Sequence, residues 1–212
     1  MAITLDGAVT TNEQTGTTSK AVASNANRLF IVAIGTHQAN NASGVTFNGD
    51  AMTLIKRQAG EYGEHCEIWG LLAPDIGTYN VVVSGANNWW AQGIYSIYDC
   101  DQTELPTVFA GDNDGDSYAY VSLTTPVDNC LVIGVMSSEP VPEVDTDISG
   151  LTEDWYQQGQ SYQNAMGAHL VKATAGLAEV GFGLSYGARW QAVAVCIKPV
   201  AGSTFVPKID MH

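Results

Sequence analysis

Apolar residues in this chain come in bursts of strand length, separated by polar segments rich in turn formers. The runs at 28–35, 67–72, 79–84, 92–98, 118–123, 130–137, 168–172, 180–185 and 191–198 read as strands. The breaks between them carry turn chemistry, as in Asn48-Gly49-Asp50, Pro74-Asp75-Ile76-Gly77 and Ser84-Gly85-Ala86-Asn87. No window sustains a helical period over three turns. Gly, Thr, Ser, Asn and Val are plentiful and only 14% of residues are charged, a composition that favours strands with tight turns over helices. The pattern predicts an all-β fold, an antiparallel β-sandwich of jelly-roll type.

Laying the chain on itself reveals a pseudo-repeat at about 100 residues. Asn27-Arg28-Leu29-Phe30-Ile31-Val32-Ala33-Ile34 matches Asn129-Cys130-Leu131-Val132-Ile133-Gly134-Val135-Met136, and Met52-Thr53-Leu54 matches Leu151-Thr152-Glu153. Trp90-Ala91-Gln92-Gly93-Ile94-Tyr95-Ser96-Ile97 matches Trp190-Gln191-Ala192-Val193-Ala194-Val195-Cys196-Ile197. No Pro/Ser-rich linker separates the halves, so we expect residues 1–199 to form one sandwich domain. Its two pseudo-repeats span about 3–100 and 101–199, and residues 200–212 are left as a tail or arm.

The succession Asn27-Arg28-Leu29-Phe30-Ile31-Val32, Val45-Thr46-Phe47-Asn48-Gly49-Asp50-Ala51-Met52-Thr53-Leu54, Trp69-Gly70-Leu71-Leu72-Ala73-Pro74, Gly77-Thr78-Tyr79-Asn80-Val81-Val82-Val83 and Asp101-Gln102-Thr103-Glu104-Leu105-Pro106 resembles a widespread β-sandwich module. That module occurs in bacteriophage virion structural proteins and bacterial surface proteins. Arg189-Trp190-Gln191-Ala192 is also typical of it, and the resemblance covers roughly residues 3 to 199. It implies a fold and a role in contact, and brings no catalytic signature with it.

Charge narrows the partners. Eight Lys+Arg stand against 22 Asp+Glu, for a net charge of −14. Without a basic cluster, such a surface repels phosphate backbones and anionic lipid, so neither nucleic acid nor membrane is expected as a partner. The apolar stretches at 29–34 and 131–136 have strand length, far short of a membrane span. The start, Met1-Ala2-Ile3-Thr4-Leu5-Asp6-Gly7, lacks the basic and apolar regions of a secretory signal. The four cysteines, Cys66, Cys100, Cys130 and Cys196, are too scattered for a zinc site and read as buried free thiols. A disulfide formed after release into an oxidising medium stays open.

Several segments hold candidate chemistry. Gly183-Leu184-Ser185-Tyr186-Gly187 fits GxSxG, with Asp210 and His212 following in hydrolase order, but the strand run around Ser185 is not followed by the helix that a nucleophile elbow needs. No catalytic role and no cofactor are expected. Asp112, Asp114 and Asp116 set carboxylates at alternating positions, a calcium candidate whose spacing departs from the EF-hand and which reads better as an acidic solvated turn. In 61–67, extended backbone would put His65 and Glu67 on one face and Cys66 inward, giving a hairpin with an acidic rim. Trp90 aligns with Trp190 and belongs in the core, whereas Trp89 aligns with Arg189 and is an interface candidate. In the tail, Phe205, Val206, Ile209 and Met211 are apolar enough to clip onto a neighbouring subunit.

These readings converge on a virion structural protein made in the host cytoplasm, first as a capsid decoration (cement) protein, second as a tail accessory protein. Its partners would be other virion proteins or copies of itself. The alternative is a carbohydrate-binding or adhesin-type module, meeting surface glycans through Trp89, Tyr95, Tyr98 or Tyr118.

Overall fold

A computed structural model describes residues 3–12, 17–36, 41–60, 65–85, 90–139, 144–146, 150–158 and 164–201. Every regular element among them is a β-strand, and every pairing is antiparallel. In the first half these are β1 (Thr4–Asn12), β2 (Thr17–Val22), β3 (Leu29–Thr36), β4 (Gly44–Phe47), β5 (Asp50–Ala51), β6 (Thr53–Ala59), β7 (His65–Leu72), β8 (Gly77–Ser84) and β9 (Trp90–Tyr98). The second half holds β10 (Val108–Asp114), β11 (Tyr118–Thr125), β12 (Cys130–Ser138), β13 (Val144–Thr146), β14 (Leu151–Gln158), β15 (Asn164–Lys172), β16 (Gly176–Leu184) and β17 (Trp190–Ile197).

The strands make four sheets. Two five-stranded sheets, β1-β9-β3-β7-β6 and β10-β17-β12-β15-β14, lie face to face at the centre. The sheet β2-β8-β4-β5 covers the outer face of the first, and β11-β16-β13 covers the outer face of the second. Three apolar cores separate the four layers. Leu29, Ile31, Ile68, Tyr95 and Ile97 meet Leu131, Ile133, Val193, Val195 and Ile197 in the middle. Phe30, Val32, Phe47, Val81 and Ile94 fill the core of the first half, and Val132, Met166, Val180, Phe182 and Trp190 that of the second. The single sandwich expected for residues 1–199 is therefore a stack in which each half contributes one inner and one outer sheet.

Burial explains the two kinds of run in the sequence. β3, β9, β12 and β17 are buried at every position because both their faces meet a core. β11 in an outer sheet alternates, with Ala119, Val121 and Leu123 inward and Tyr120, Ser122 and Thr124 exposed. The few polar side chains on β9 tie layers together: Ser96 Oγ donates to the Ala21 carbonyl at 3.1 Å, and Tyr98 Oη accepts from Ala23 N at 2.9 Å.

Strand order in the second half follows that of the first, with β10 in the place of β1, β17 of β9, β12 of β3, β15 of β7 and β14 of β6. The outer sheets correspond in the same way, β11, β16 and β13 standing for β2, β8 and β4. Asn27, two residues before β3, and Asn129, one before β12, take φ of 51° and 59°, a conformation Asn tolerates better than most residues. β6 and β14 each carry a register shift near their start, between Leu54 and Lys56 and between Glu153 and Trp155.

One side chain locks the inner sheets together. The β14 shift turns Trp155 into the central core, where its indole lies over Gly93 of β9 and Gly167 of β15, so closely that a Cβ at either glycine would overlap the ring. Trp155 Nε1 donates to Tyr95 Oη at 2.8 Å across the halves, which satisfies the buried indole. The junction between halves is pinned separately. Cys100 bridges Pro199, Asp101 N donates to the Lys198 carbonyl at 2.9 Å, and Lys198 Nζ lies 3.0 Å from Asp101 Oδ2.

Trp155→Ala should cost about 3–5 kcal/mol in urea unfolding, because the glycine-lined slot cannot collapse around a methyl group. Gly93→Ala should also destabilise, by about 1–3 kcal/mol, through overpacking against the same ring. Asp101 accepts bonds from Thr103 N and Oγ1 and pairs with Lys198, and these hold its carboxyl down from 3.8 to about 2. A depressed carboxylate stabilises above its unfolded pKa and loses that contribution as pH falls through the folded value. Thermal melts between pH 4 and 2 should therefore fall less steeply for Asp101→Asn than for the wild type.

Candidate functional site

At one end of the stack the seam between inner sheets opens into a polar cleft. It forms where β6, β10 and β17 terminate together, and Gly60, Asn113, Asp114, Gly115, Arg189, Trp190 and Gln191 line a volume of about 300 Å³. Gln58 Nε2 donates to Asn113 Oδ1 at 2.7 Å, which joins the halves across the cleft. Arg189 holds Glu139 with its backbone N at 3.1 Å and its Nε at 2.8 Å, and its Nη2 touches the same carboxylate. These bonds keep the Glu139 carboxyl below its ordinary range. Gln191 is buried, its carbonyl accepts from Cys66 Sγ at 3.2 Å, and its Nε2 has no acceptor.

The three aspartates beside the cleft do different things. Asp112 and Asp114 lie on strand β10, not in the turn the sequence suggested, and each is exposed and accepts from the next backbone N–H, at 2.8 Å from Asn113 and 2.7 Å from Gly115. Asp116 follows the strand. Its Oδ1 accepts from Trp190 Nε1 at 3.0 Å and from Tyr118 N at 3.0 Å, so this carboxylate fixes the start of β17 and β11. Among the described residues no group of three or more His, Cys, Asp or Glu side chains is placed to hold a metal ion.

Directly after this turn, Tyr118 and Tyr120 point outward on β11 and stack on each other, with ring centroids 5.7 Å apart and planes 29° apart. Tyr120 is 42% exposed. The pair stands opposite Gly183 and Gly181 of β16, and Tyr118 is half-buried. Of the tyrosines considered for ligand stacking, Tyr95 and Tyr98 are interior, at 0% and 2% exposure, and cannot serve. Their strand is buried on both faces, which the sequence alone does not announce.

Other expected sites resolve differently. Glu67 is wholly buried, not part of an acidic rim. Its carboxylate accepts from Arg57 Nε at 3.0 Å, Ala42 N at 3.0 Å and Trp69 Nε1 at 2.7 Å. Arg57 Nη2 also donates to the Ala42 carbonyl at 2.9 Å, so the guanidinium that neutralises the buried charge is itself anchored. Cys66 turns into the central core, as extended backbone requires. Residues 183–187 run off the end of β16 through an exposed bend toward β17, so Ser185 does not sit on a strand-to-helix elbow. A pair the sequence reading missed is Asp154 with His169, Oδ1 to Nδ1 at 2.7 Å, where the β14 register shift turns Asp154 toward β15. Its two members are 15 residues apart in sequence and no motif joins them.

Trp89 and the tail residues Phe205, Val206, Ile209 and Met211, like Asp210 and His212, lie outside the described residues. Comparison with protein-family models, with curated proteins and with solved structures finds nothing that matches this chain.

If Asp116 is the structural carboxylate of the three, Asp116→Ala should lower unfolding stability by about 1–2 kcal/mol, the loss of two hydrogen bonds to a charged acceptor. Asp112→Ala and Asp114→Ala should stay within about 0.5 kcal/mol of wild type in the same urea titrations. Glu67→Ala should be far worse, about 3–5 kcal/mol, because it strands the Arg57 charge and the Trp69 indole N–H.

Proposed function

We propose that this chain is a virion structural protein that acts by contact between subunits, best suited to decorating a capsid and next to serving as a tail accessory. The observation that carries the reading is the four-layer stack itself. Its inner strands are spent on mutual burial, and its chemistry-bearing side chains, Glu67, Tyr95, Trp155, Trp190 and Asp116, are committed to holding layers together. A body stiffened in this way suits a protein whose work is cohesion. The resemblance of residues 3 to 199 to a module of phage and bacterial surface proteins supports the same reading, as does a surface carrying a net charge of −14. In each half we read the orders β1-β9-β3-β7 with β2-β8-β4-β5, and β10-β17-β12-β15 with β11-β16-β13, as a jelly roll that duplication has doubled.

A second reading has its own observation. The Tyr118–Tyr120 stack, with Tyr120 exposed, follows in sequence the residues that line a polar cleft, and aromatic faces with nearby amides are the means by which proteins meet sugar rings, which favours a carbohydrate-binding or adhesin-type module.

The two readings part experimentally. Mass spectrometry of purified particles whose genome carries this reading frame should detect the chain at a copy number matching a symmetric lattice, and micrographs should show it as regular surface density. Particles that lack the chain overturn the structural proposal. Glycan-array binding that is lost in Tyr120→Ala, with an unchanged melting temperature, would establish the second reading instead.

A further inference from the structure

The four cysteines are all free and buried, but they are not equivalent. Cys66 and Cys100 lie in the central core, bonded to the carbonyls of Gln191 at 3.2 Å and Tyr98 at 3.6 Å. Cys130 and Cys196 lie on neighbouring strands. β12 and β17 place Leu131 opposite Ile197 and Val132 opposite Cys196, so Cys130 stands one diagonal step from Cys196. Both side chains point into the core of the second half.

We propose that Cys130 and Cys196 are a cross-linking site, closing a disulfide between β12 and β17 when the protein passes from a reducing to an oxidising medium. The inference stands whichever function holds. Diagonal neighbours on an antiparallel pair have Cα atoms about 7–8 Å apart, just beyond the span a disulfide bridges. Closure therefore needs a shift of about an ångström, and the fold supplies the place for it. Cys130 is the first residue of β12, directly after Asn129 with its φ of 59° and the exposed turn at 126–128. Its thiol bonds within that turn, to the Val127 carbonyl at 3.2 Å, so a shift of the turn would carry the sulfur with it.

The proton inventory suits exchange with a small disulfide such as oxidised glutathione. Cys130 borders the exposed turn at 126–128 while Cys196 lies within β17, so Cys130 is the thiol placed to exchange first, and its Cys196 neighbour and Lys198 pull its pKa down. Cys196, held within β17, is the resolving thiol, and its Cys130 neighbour and burial push its pKa up. Cys130 forms a bond to one glutathione sulfur and expels the other as thiolate, which takes up a proton. Cys196 then attacks the Cys130 sulfur, gives up its proton, and releases the second glutathione. Two protein thiols are oxidised and one glutathione disulfide is reduced to two thiols. A bond closed by pulling strands together is strained, so mild reductant should reopen it.

The test uses the full chain incubated with oxidised or reduced glutathione, then differential alkylation and peptide mass spectrometry. Oxidation should remove labelling at Cys130 and Cys196 together and yield one linked peptide pair joining them. Cys66 and Cys100 should still label after denaturation. The melting temperature should rise on oxidation in the wild type and stay fixed in Cys196→Ser. Should that variant fold poorly, Cys196→Ala keeps the core apolar and serves the same comparison. Continued labelling of both cysteines, a glutathione adduct that never resolves, or a link to Cys66 or Cys100 would each overturn the proposal.

Discussion

Everything in this protein is organised around two β-sheets whose central strands have no wet face. β3, β9, β12 and β17 are buried at every residue, so each inner sheet needs a neighbour on both sides. The outer sheets supply one neighbour, and the opposite half supplies the other. This single constraint accounts for the three cores and for the glycines where side chains from facing layers approach most closely. It also places two interior polar groups where other elements can meet them. Glu67 receives donors from a side chain, a main chain and an indole, and Trp155 finds its acceptor on the other half of the chain.

Where the layers run out, polar chemistry returns. The cleft between β6, β10 and β17, the Asp116 turn and the Tyr118–Tyr120 stack all cluster where strands end and backbone groups meet solvent. Rigid layers hold these features in place from behind, since Trp190 reaches from the second core to Asp116 and Gln58 spans the seam to Asn113. A contact surface built in this way would be presented with little freedom to adapt, which favours specificity over breadth.

Much of the fold was legible in the sequence, and the limits have physical causes. The long apolar runs and the turn signals are local facts, so an antiparallel all-β chain follows from them. Val193 and Val195 alternating with Ala192 and Ala194 already implied a strand without a solvent face, yet periodicity alone does not say what covers the second face. That is why four layers were not foreseen. Strands such as β1, β10 and β14 were missed because Asp, Asn, Gly and Gln dilute their pattern, their places being fixed by ladder partners distant in sequence. Glu67 was misplaced for a related reason, since a carboxylate is expected outside until Arg57, Ala42 and Trp69 are known to surround it. The cleft was invisible because Gly60, Asn113 and Gln191 converge only through tertiary packing.

The shared central core also governs how the molecule must come into being. Leu29, Ile31, Ile68, Tyr95 and Ile97 form one wall of that core, and the facing wall is completed only by Val193, Val195 and Ile197 near the far end of the chain. A ribosome delivering residues in order would release the first half with a greasy sheet uncovered until residues 193–197 have emerged. During that interval the nascent half is a sticky intermediate, open to chaperones and to identical halves on neighbouring ribosomes. Domain exchange between two chains is thus the characteristic misassembly of this architecture, and fast synthesis of the second half its natural safeguard.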